Sequence, residues 1–181
     1  MSRQLLERDL DIIEQKFGVD LGRHENTPEK DDEYYPQIKA AIRKEASEMA
    51  AHYELFYCLE NSLREIICEK MLAQDGATWW EQKVPEHVKQ EASSNRKREL
   101  DMGVTQRSAL PIDYITFGQL GEIVRGNWQT FSDTFNSQSG FNRIMSNLNQ
   151  LRGPIAHCSP LAADEVVRLR LTLKDWVRLM G

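Results

Sequence analysis

The residues of this sequence best suited to chemistry are Arg152 and His157, which lie five positions apart. A histidine titrates near neutral pH, so it can take a proton from a ribose 2′-hydroxyl or return one to a leaving oxygen. An arginine can bind a phosphate through two parallel hydrogen bonds and stabilise the charge that builds up there. Together they suit cleavage of an RNA phosphodiester bond. The simpler alternative is that Arg152 caps a helix and His157 fills a polar gap.

Between these two residues, Gly153 and Pro154 predict an interruption of the helix. A residue before proline is pushed out of the α region, so the first helix should end near Arg152. Proline suits the first turn of a helix and glycine is accepted as its cap, so a new helix should begin at Pro154. We therefore expect a stiff junction, with Arg152 at one helix end and His157 in the first turn of the next helix.

The chain offers few ligands for a metal ion. It has no His-x-x-x-His pair and no cluster of Asp and His at ligand spacing, so we expect neither a metal nor another cofactor. The three cysteines are an odd number without a Cys-x-x-Cys pair, which argues against a disulfide framework and a zinc ribbon. Cys58 and Cys68 fall in apolar helical stretches, where we expect buried, inert thiols.

Charge is distributed unevenly along the chain. The net charge is −5, of which residues 1–60 carry −6, residues 61–140 carry −2 and residues 141–181 carry +3. The segment that holds the arginine and the histidine is therefore basic, which permits contact with nucleic acid. The sharpest basic cluster is Arg96-Lys97-Arg98, which is either a solvated helix face or a contact for the RNA backbone.

Apolar residues recur at helical spacing almost throughout the chain, which predicts an all-α fold. Residues 1–35 should form an extra N-terminal helix and an acidic connector, and residues 36–181 a helical domain with a polar insertion at 78–110. Thr116 and Gln119 have the spacing of a capping box. Further helices are predicted from Pro36 to about Ala73 and over 116–124, 127–135, 141–151 and 162–180.

Two features are missing from the sequence. It has no run of eighteen apolar residues, which a transmembrane helix needs, and its first residues lack the apolar core of a signal peptide. We therefore expect a soluble, cytoplasmic protein that has no membrane partner.

Three segments carry a further signal: LNQLRGPIAHCSPL (148–161), FYCLENSLREII (56–67) and DYITFGQLGEIVRGNW (113–128). The first is similar to L-x-x-x-R-N-x-I-A-H-x-x-P-L, a form of the R-x4-6-H signature of the HEPN superfamily. The other two are similar to the E-x-x-L-R-x-x-I and D-Y-x-x-x-x-x-L-x-x-I-I-x-x-x-W segments of one branch. That branch is appended to nuclear transcript-surveillance endonucleases and to many bacterial defence proteins.

The resemblance implies a HEPN-like helical bundle that forms a homodimer. Two R-x4-H segments would face one another across the two-fold axis and form a composite RNase site, with Arg152 and His157 as catalytic residues. Glu60, Asn61 and Arg64 would be the polar residues of the facing helix. The spacing of Glu60 and Arg64 suits an intrahelical ion pair equally well.

Gly153 departs from the pattern, because the family position after the arginine is usually polar and often Asn. Both residues cap helices with a difference of about a few tenths of a kcal/mol, so the fold should not suffer. The missing amide could have positioned the substrate or the histidine, so Gly153 bears on activity. In the third segment, Arg125 is a candidate RNA contact, and Trp128 is expected to pack rather than to stack on a base.

Two functions from different classes follow. The first is a metal-independent endoribonuclease, a toxin or antiviral defence effector that leaves a 2′,3′-cyclic phosphate and has an antitoxin or regulatory partner. The second is a non-catalytic HEPN dimerisation module that binds RNA or a nucleotide, which Gly153 and the acidic front half favour. A plain helical interaction domain would leave Arg152 and His157 far from any cleft or symmetry axis.

Overall fold

The computed structural model describes residues 37–181, and the helix and connector predicted for residues 1–35 lie outside them. The described part is built from α-helices and two short 3₁₀ turns, and it holds no β-strand. The predicted all-α class is therefore confirmed. Nor does any helix of this part combine the length and the apolar character that crossing a membrane requires.

Among residues 37–181, the helices expected from the apolar periodicity are present in order, and the polar segment 78–110 adds two more. They are α1 (Ala40–Asp75), α2 (Trp79–Lys83), α3 (Glu86–Asp101), α4 (Phe117–Gly126), α5 (Trp128–Phe131), α6 (Gln138–Ala156) and α7 (Ala163–Leu179). The 3₁₀ turns are Gly76–Thr78 and Pro111–Tyr114. The long helix α1 ends where Gly76 takes a φ of +68°, a conformation that glycine adopts without strain.

The start of α4 is set by the predicted capping box. The backbone N–H of Gln119 donates to Thr116 Oγ1 at 3.4 Å, and the backbone N–H of Thr116 donates to Gln119 Oε1 at 2.8 Å. Two amides that would lack partners at a helix start are thereby satisfied. The box fixes the register in which α4 presents its apolar face to the core.

The core lies where the second half of α1 meets α4 and α6, with α7 packed on α6. The stripe of α1 that faces it recurs every three or four residues and comprises Phe56, Leu59, Leu63, Ile67 and Met71. An aromatic cluster adds to it, with the ring centroids of Phe135 and Phe141 4.9 Å apart and those of Phe135 and Trp176 5.5 Å apart. The Trp128 ring lies 6.1 Å from that of Phe141, so its expected packing role is confirmed.

The polar stretch after Pro85 forms the helix α3, which packs on the turn Pro111–Tyr114. Val88 and Ala92 are its buried residues. Asn95 Nδ2 donates to the Tyr114 carbonyl at 2.9 Å, which ties the helix to the turn. A narrow apolar face and this hydrogen bond dock a helix whose composition is otherwise that of a solvated segment.

The predicted helix break at Gly153 and Pro154 is wrong. Helix α6 continues through both residues to Ala156, with Pro154 inside its last turn. Because glycine has no Cβ, Gly153 avoids much of the clash that keeps a residue before proline out of the α region. Proline lacks one backbone N–H of the helix, and here the helix ends only two residues later.

Helix α6 ends instead in a left-handed cap after Ala156. Cys158 has a φ of +54°, the backbone N–H of Ser159 donates to the Pro154 carbonyl at 2.8 Å, and that of Cys158 donates to the Ile155 carbonyl at 3.3 Å. These two bonds form a Schellman motif. His157 is therefore the C-terminal cap residue of α6 and not part of the first turn of a new helix.

The expectation of a buried Cys58 is also wrong. Cys58 is exposed, whereas Cys68 is half-buried. Cys58 lies between Phe56 and Leu59 in sequence, and both of these point into the core. At about 100° of rotation per residue, the position between them faces away from the buried stripe.

Candidate functional site

A cleft of about 510 Å³ lies between the middle of α1, the last turn of α6 and the loop that precedes α4. Its lining comes from three separate stretches of sequence: Tyr53, Phe56, Tyr57, Glu60, Asn61 and Arg64 from α1, Arg107, Ser108 and Asp113 from the loop and turn, and Arg152, Ile155 and Ala156 from α6. The resemblance had singled out Glu60, Asn61, Arg64 and Arg152, and all four face this cleft.

Glu60 joins two of the three stretches. Arg64 Nη2 donates to Glu60 Oε1 at 2.5 Å, and Arg152 Nε lies 3.3 Å from Glu60 Oε2. The Glu60 side chain is only 15% exposed. The ion pair that the spacing of Glu60 and Arg64 allows is therefore present, but the same carboxylate also holds the arginine of the other helix.

Arg64 has further partners that give it a structural role. Its Nε donates to the Ile112 carbonyl at 3.3 Å and its Nη2 to the Ile115 carbonyl at 3.2 Å. The carboxylate of Asp113 lies 3.7 Å from Arg64 Nε. Arg64 thus secures the turn before α4 against α1, and most of its donors are used within the protein.

On α1, Asn61 lies three residues before Arg64 and Cys68 four residues after it, about one helical turn in each direction. Asn61 lines the cleft, and its Nδ2 donates to the Tyr57 carbonyl at 2.8 Å. Burial raises the pKa of the Cys68 thiol, and the nearby Asp113 carboxylate raises it further. Cys68 is therefore held as the protonated thiol, which is a poor nucleophile.

Arg152 retains access to the cleft. Its side chain is 36% exposed, and Glu60 is its ion-pair partner among the residues that the structure describes. The unbroken helix places Ile155 and Ala156, three and four residues further on, on the same face as Arg152. Gly153 lies off this face, and a Cβ built there meets no atom within 4 Å.

His157 is not part of the cleft, whose lining ends at Ala156. It is exposed on the cap of α6. Five residues of helix rotate by about 140° beyond one full turn, so Arg152 and His157 point in different directions. The geometry thus brings Arg152 together with Glu60, Asn61 and Arg64, and leaves the histidine on an adjacent, outward-facing surface.

The remaining basic candidates lie apart from this cleft. Arg96, Lys97 and Arg98 are exposed on α3, and Arg96 borders a second surface groove beside Lys89. Arg125 is exposed in the last turn of α4. None of the four lines the cleft around Arg152.

Sequence reasoning missed Tyr53, Tyr57, Arg107 and Asp113 as cleft residues. The two tyrosines could have been found, because Tyr57 precedes Glu60 and Asn61 by three and four residues, and Tyr53 precedes Tyr57 by four, on one helix face. No local pattern marks Arg107, which reaches the cleft only because its loop folds back on α3.

Across residues 37–181, no three His, Cys, Asp or Glu side chains are grouped so as to hold a metal ion.

The comparisons with known proteins agree with the motifs. A family model described as Swt1-like HEPN matches residues 54–181, which include nearly all of the cleft lining and the whole of α6 and α7. Neither a curated protein nor a solved structure matches the chain.

Proposed function

Because the chain belongs to the Swt1-like HEPN family, we propose that it is a metal-independent endoribonuclease that uses Arg152 and His157. The observation that carries the proposal is the position of Arg152, a partly exposed guanidinium held by a nearly buried carboxylate inside a cleft. A guanidinium with free donors at such a place suits a phosphate.

The chemistry needs only proton transfer and charge stabilisation. A neutral His157 takes the proton of the ribose 2′-hydroxyl, and the 2′-oxygen attacks the adjacent phosphorus. The bond from phosphorus to the 5′-oxygen breaks, and a protonated His157 donates the proton that this oxygen requires. Arg152 stabilises the added charge on the phosphate oxygens. The products are a 2′,3′-cyclic phosphate and a 5′-hydroxyl.

A homodimer supplies the two histidines that this sequence of proton transfers calls for. Within one chain, Arg152 faces the cleft while His157 faces outward from the end of the same helix. Two copies that pack α6 ends together across a two-fold axis bring both R-x4-H segments into one composite site. As an effector of this kind, the protein acts as a toxin or in antiviral defence, under the control of an antitoxin or other regulatory partner.

A second candidate is a non-catalytic HEPN module that binds RNA or a nucleotide. It is favoured by Gly153, which offers no side-chain amide, and by the Glu60 carboxylate, which already occupies part of Arg152. Under this alternative, the cleft binds a phosphate without cleaving RNA. His157 then either contributes to the binding affinity or has no role in binding.

Cleavage of a mixed-sequence RNA in EDTA tests the leading proposal. Purified wild-type chain should cut the RNA, and His157→Ala should reduce the rate by at least about 100-fold, as expected for loss of a general acid or base. His87→Ala is the matched control, because His87 is also an exposed histidine but pairs with Glu122, outside the cleft.

The control should cut at the wild-type rate. If RNA is cut equally well by His157→Ala, or is not cut by the wild type under any ionic condition, the endoribonuclease assignment fails. RNA binding without cleavage would leave the second candidate in its place.

A further inference from the structure

Two tyrosines stand at the mouth of the cleft on the same stripe of α1 as Glu60 and Asn61. Tyr53 and Tyr57 are 63% and 59% exposed, and their ring centroids lie 6.2 Å apart with a tilt of 39°. Their neighbour Phe56 is buried and packs edge-on against Phe117, so it belongs to the core. The stripe therefore changes along the helix from a pair of open aromatic faces to a polar, charged floor.

The spacing along α1 matches the size of one nucleotide. Tyr57 precedes Asn61 by four residues, or about 6 Å of helix rise. Glu60, one residue before Asn61, holds Arg152. A phosphate bound at Arg152 thus has the ring of Tyr57 within reach of the base attached to its own or the next ribose.

The facing rim of the cleft is a fixed arginine. Arg107 Nε donates to Glu99 Oε1 at 2.6 Å, and the guanidinium carbon lies 5.2 Å from the centroid of the Tyr114 ring. The Arg107 side chain is still 57% exposed. Its donors that point away from Glu99 can contact a phosphate or a base edge. Such binding costs little side-chain entropy, because Glu99 and Tyr114 already hold the guanidinium in place.

We propose that Tyr53 and Tyr57 form a nucleobase-binding platform, with Arg107 as the opposite rim. The inference rests on the proposed function for the identity of the polymer, RNA. Exposed aromatic rings beside a phosphate-binding cation are what an unpaired base requires, because every base offers a flat face to stack on. The cleft lining carries three arginines against two carboxylates, a balance that suits a polyanion better than an acidic or neutral protein surface.

The test uses the full chain with His157→Ala, so that binding is measured without cleavage. Fluorescence anisotropy of a labelled eight-nucleotide single-stranded RNA gives the Kd. Adding Tyr53→Ala and Tyr57→Ala should weaken binding by about 5-fold or more, since one base stacked on an aromatic ring is worth at least about this much. Tyr53→Phe with Tyr57→Phe should keep the Kd of the His157→Ala chain, because the rings remain. Leu171→Ala with Val177→Ala, which removes exposed apolar side chains of α7, should also keep it.

A double-mutant cycle that combines the protein variants with abasic RNAs identifies which base stacks on the tyrosines. Removing the base at one position of the oligonucleotide should cost the same affinity as removing both rings, and the two losses should not add at that position. Additive losses at every position, an unchanged Kd in the double alanine variant, or a loss in the double phenylalanine variant would each overturn the platform. So would a double alanine variant that fails to dimerise, since the rings would then belong to a protein interface.

The result of this RNA-binding test can be distinguished from the result of the RNA-cleavage test of the proposed function. RNA that binds through the platform but is never cut by the chain with His157 would overturn the endoribonuclease and keep the base site. RNA that is cut with no dependence on the two rings would do the reverse.

Discussion

At the scale of single residues, Glu60 is the side chain that joins the arginines of two different helices in the cleft. Its two carboxylate oxygens pair with two arginines from different helices, in a position that is largely shielded from water. Such an arrangement is held by charge, because each guanidinium needs the anion and the two cations would otherwise repel one another. Glu60 is therefore as much a part of the packing of α6 on α1 as of the chemistry.

Replacing this carboxylate by an amide tests that role. Glu60→Gln keeps the shape of the side chain but leaves Arg152 without its negative partner and Arg64 with Asp113 alone. We expect a loss of about 1–3 kcal/mol in the free energy of unfolding, measured by urea denaturation. Glu65→Gln, an exposed position on the same helix, is the control and should change stability by less than about 0.5 kcal/mol. Equal stabilities of the two variants would contradict the role assigned to Glu60.

The three thiols should differ in reactivity with a thiol reagent. Cys58 and Cys158 are exposed, whereas Cys68 is half-buried and its pKa is raised by burial and by Asp113. A raised pKa means less thiolate at neutral pH, so Cys68 should react slowly below its pKa and faster only as the pH rises through it. Native protein should thus label quickly at two cysteines at pH 7, and the third should follow on unfolding. Loss of the slow phase in Cys68→Ser would assign it, and fast labelling of Cys68 at pH 7 would count against the expectation.

At the scale of secondary-structure elements, α6 sets the relation between the two candidate catalytic residues. Because the helix runs unbroken to Ala156, Arg152 keeps helical register with the cleft and His157 is carried around the axis to the cap. The Schellman motif then fixes the direction in which the chain leaves, with Cys158 in a left-handed conformation that costs a non-glycine residue about 1 kcal/mol.

Pro154→Ala probes this helix end. Alanine restores an amide that can donate to the carbonyl four residues earlier and has a far better helix propensity. We expect the variant to be more stable by about 1–2 kcal/mol in thermal and urea unfolding. Pro160→Ala, in the segment after the cap, should have little effect. A destabilised Pro154→Ala would indicate that the chain turns at this proline rather than continuing as a helix.

At the scale of the whole molecule, three stretches that are far apart in sequence meet in one cleft, and the second R-x4-H segment of the proposed site comes from another copy. If the composite site needs both histidines, a dimer with one wild-type chain and one His157→Ala chain is inactive. With a nine-fold excess of His157→Ala chains, the RNA cleavage per wild-type chain should fall to about a tenth, once the chains have exchanged.

Exchange can be followed with two affinity tags. The control is the same excess of His87→Ala chains, with which the RNA cleavage per chain should stay at the wild-type value. Cleavage per wild-type chain that stays constant with excess His157→Ala would show that each chain works alone, and would rule out the composite site.

Most helices among residues 37–181 followed from local patterns. Helical periodicity predicted the all-α class, and the spacing of Thr116 and Gln119 predicted the capping box, because both depend on neighbours within one or two turns. Where two local rules compete, as at Gly153 and Pro154, the pattern misled. The steric rule before proline is weakest for glycine, and the apolar contacts of Ile155 with the core favour continuing the helix.

Arg152 and His157 best separate what the sequence by itself determined from what only the tertiary structure decided. The sequence by itself determined that Arg152, Glu60 and Arg64 belong to a HEPN pattern on two amphipathic helices. Only the tertiary structure decided that Glu60 holds both arginines, that Tyr53, Tyr57 and Arg107 border the same cleft, and that His157 faces away from it. Contacts between residues about 50 to 90 positions apart depend on how helices pack and rotate, and no short-range pattern encodes that geometry.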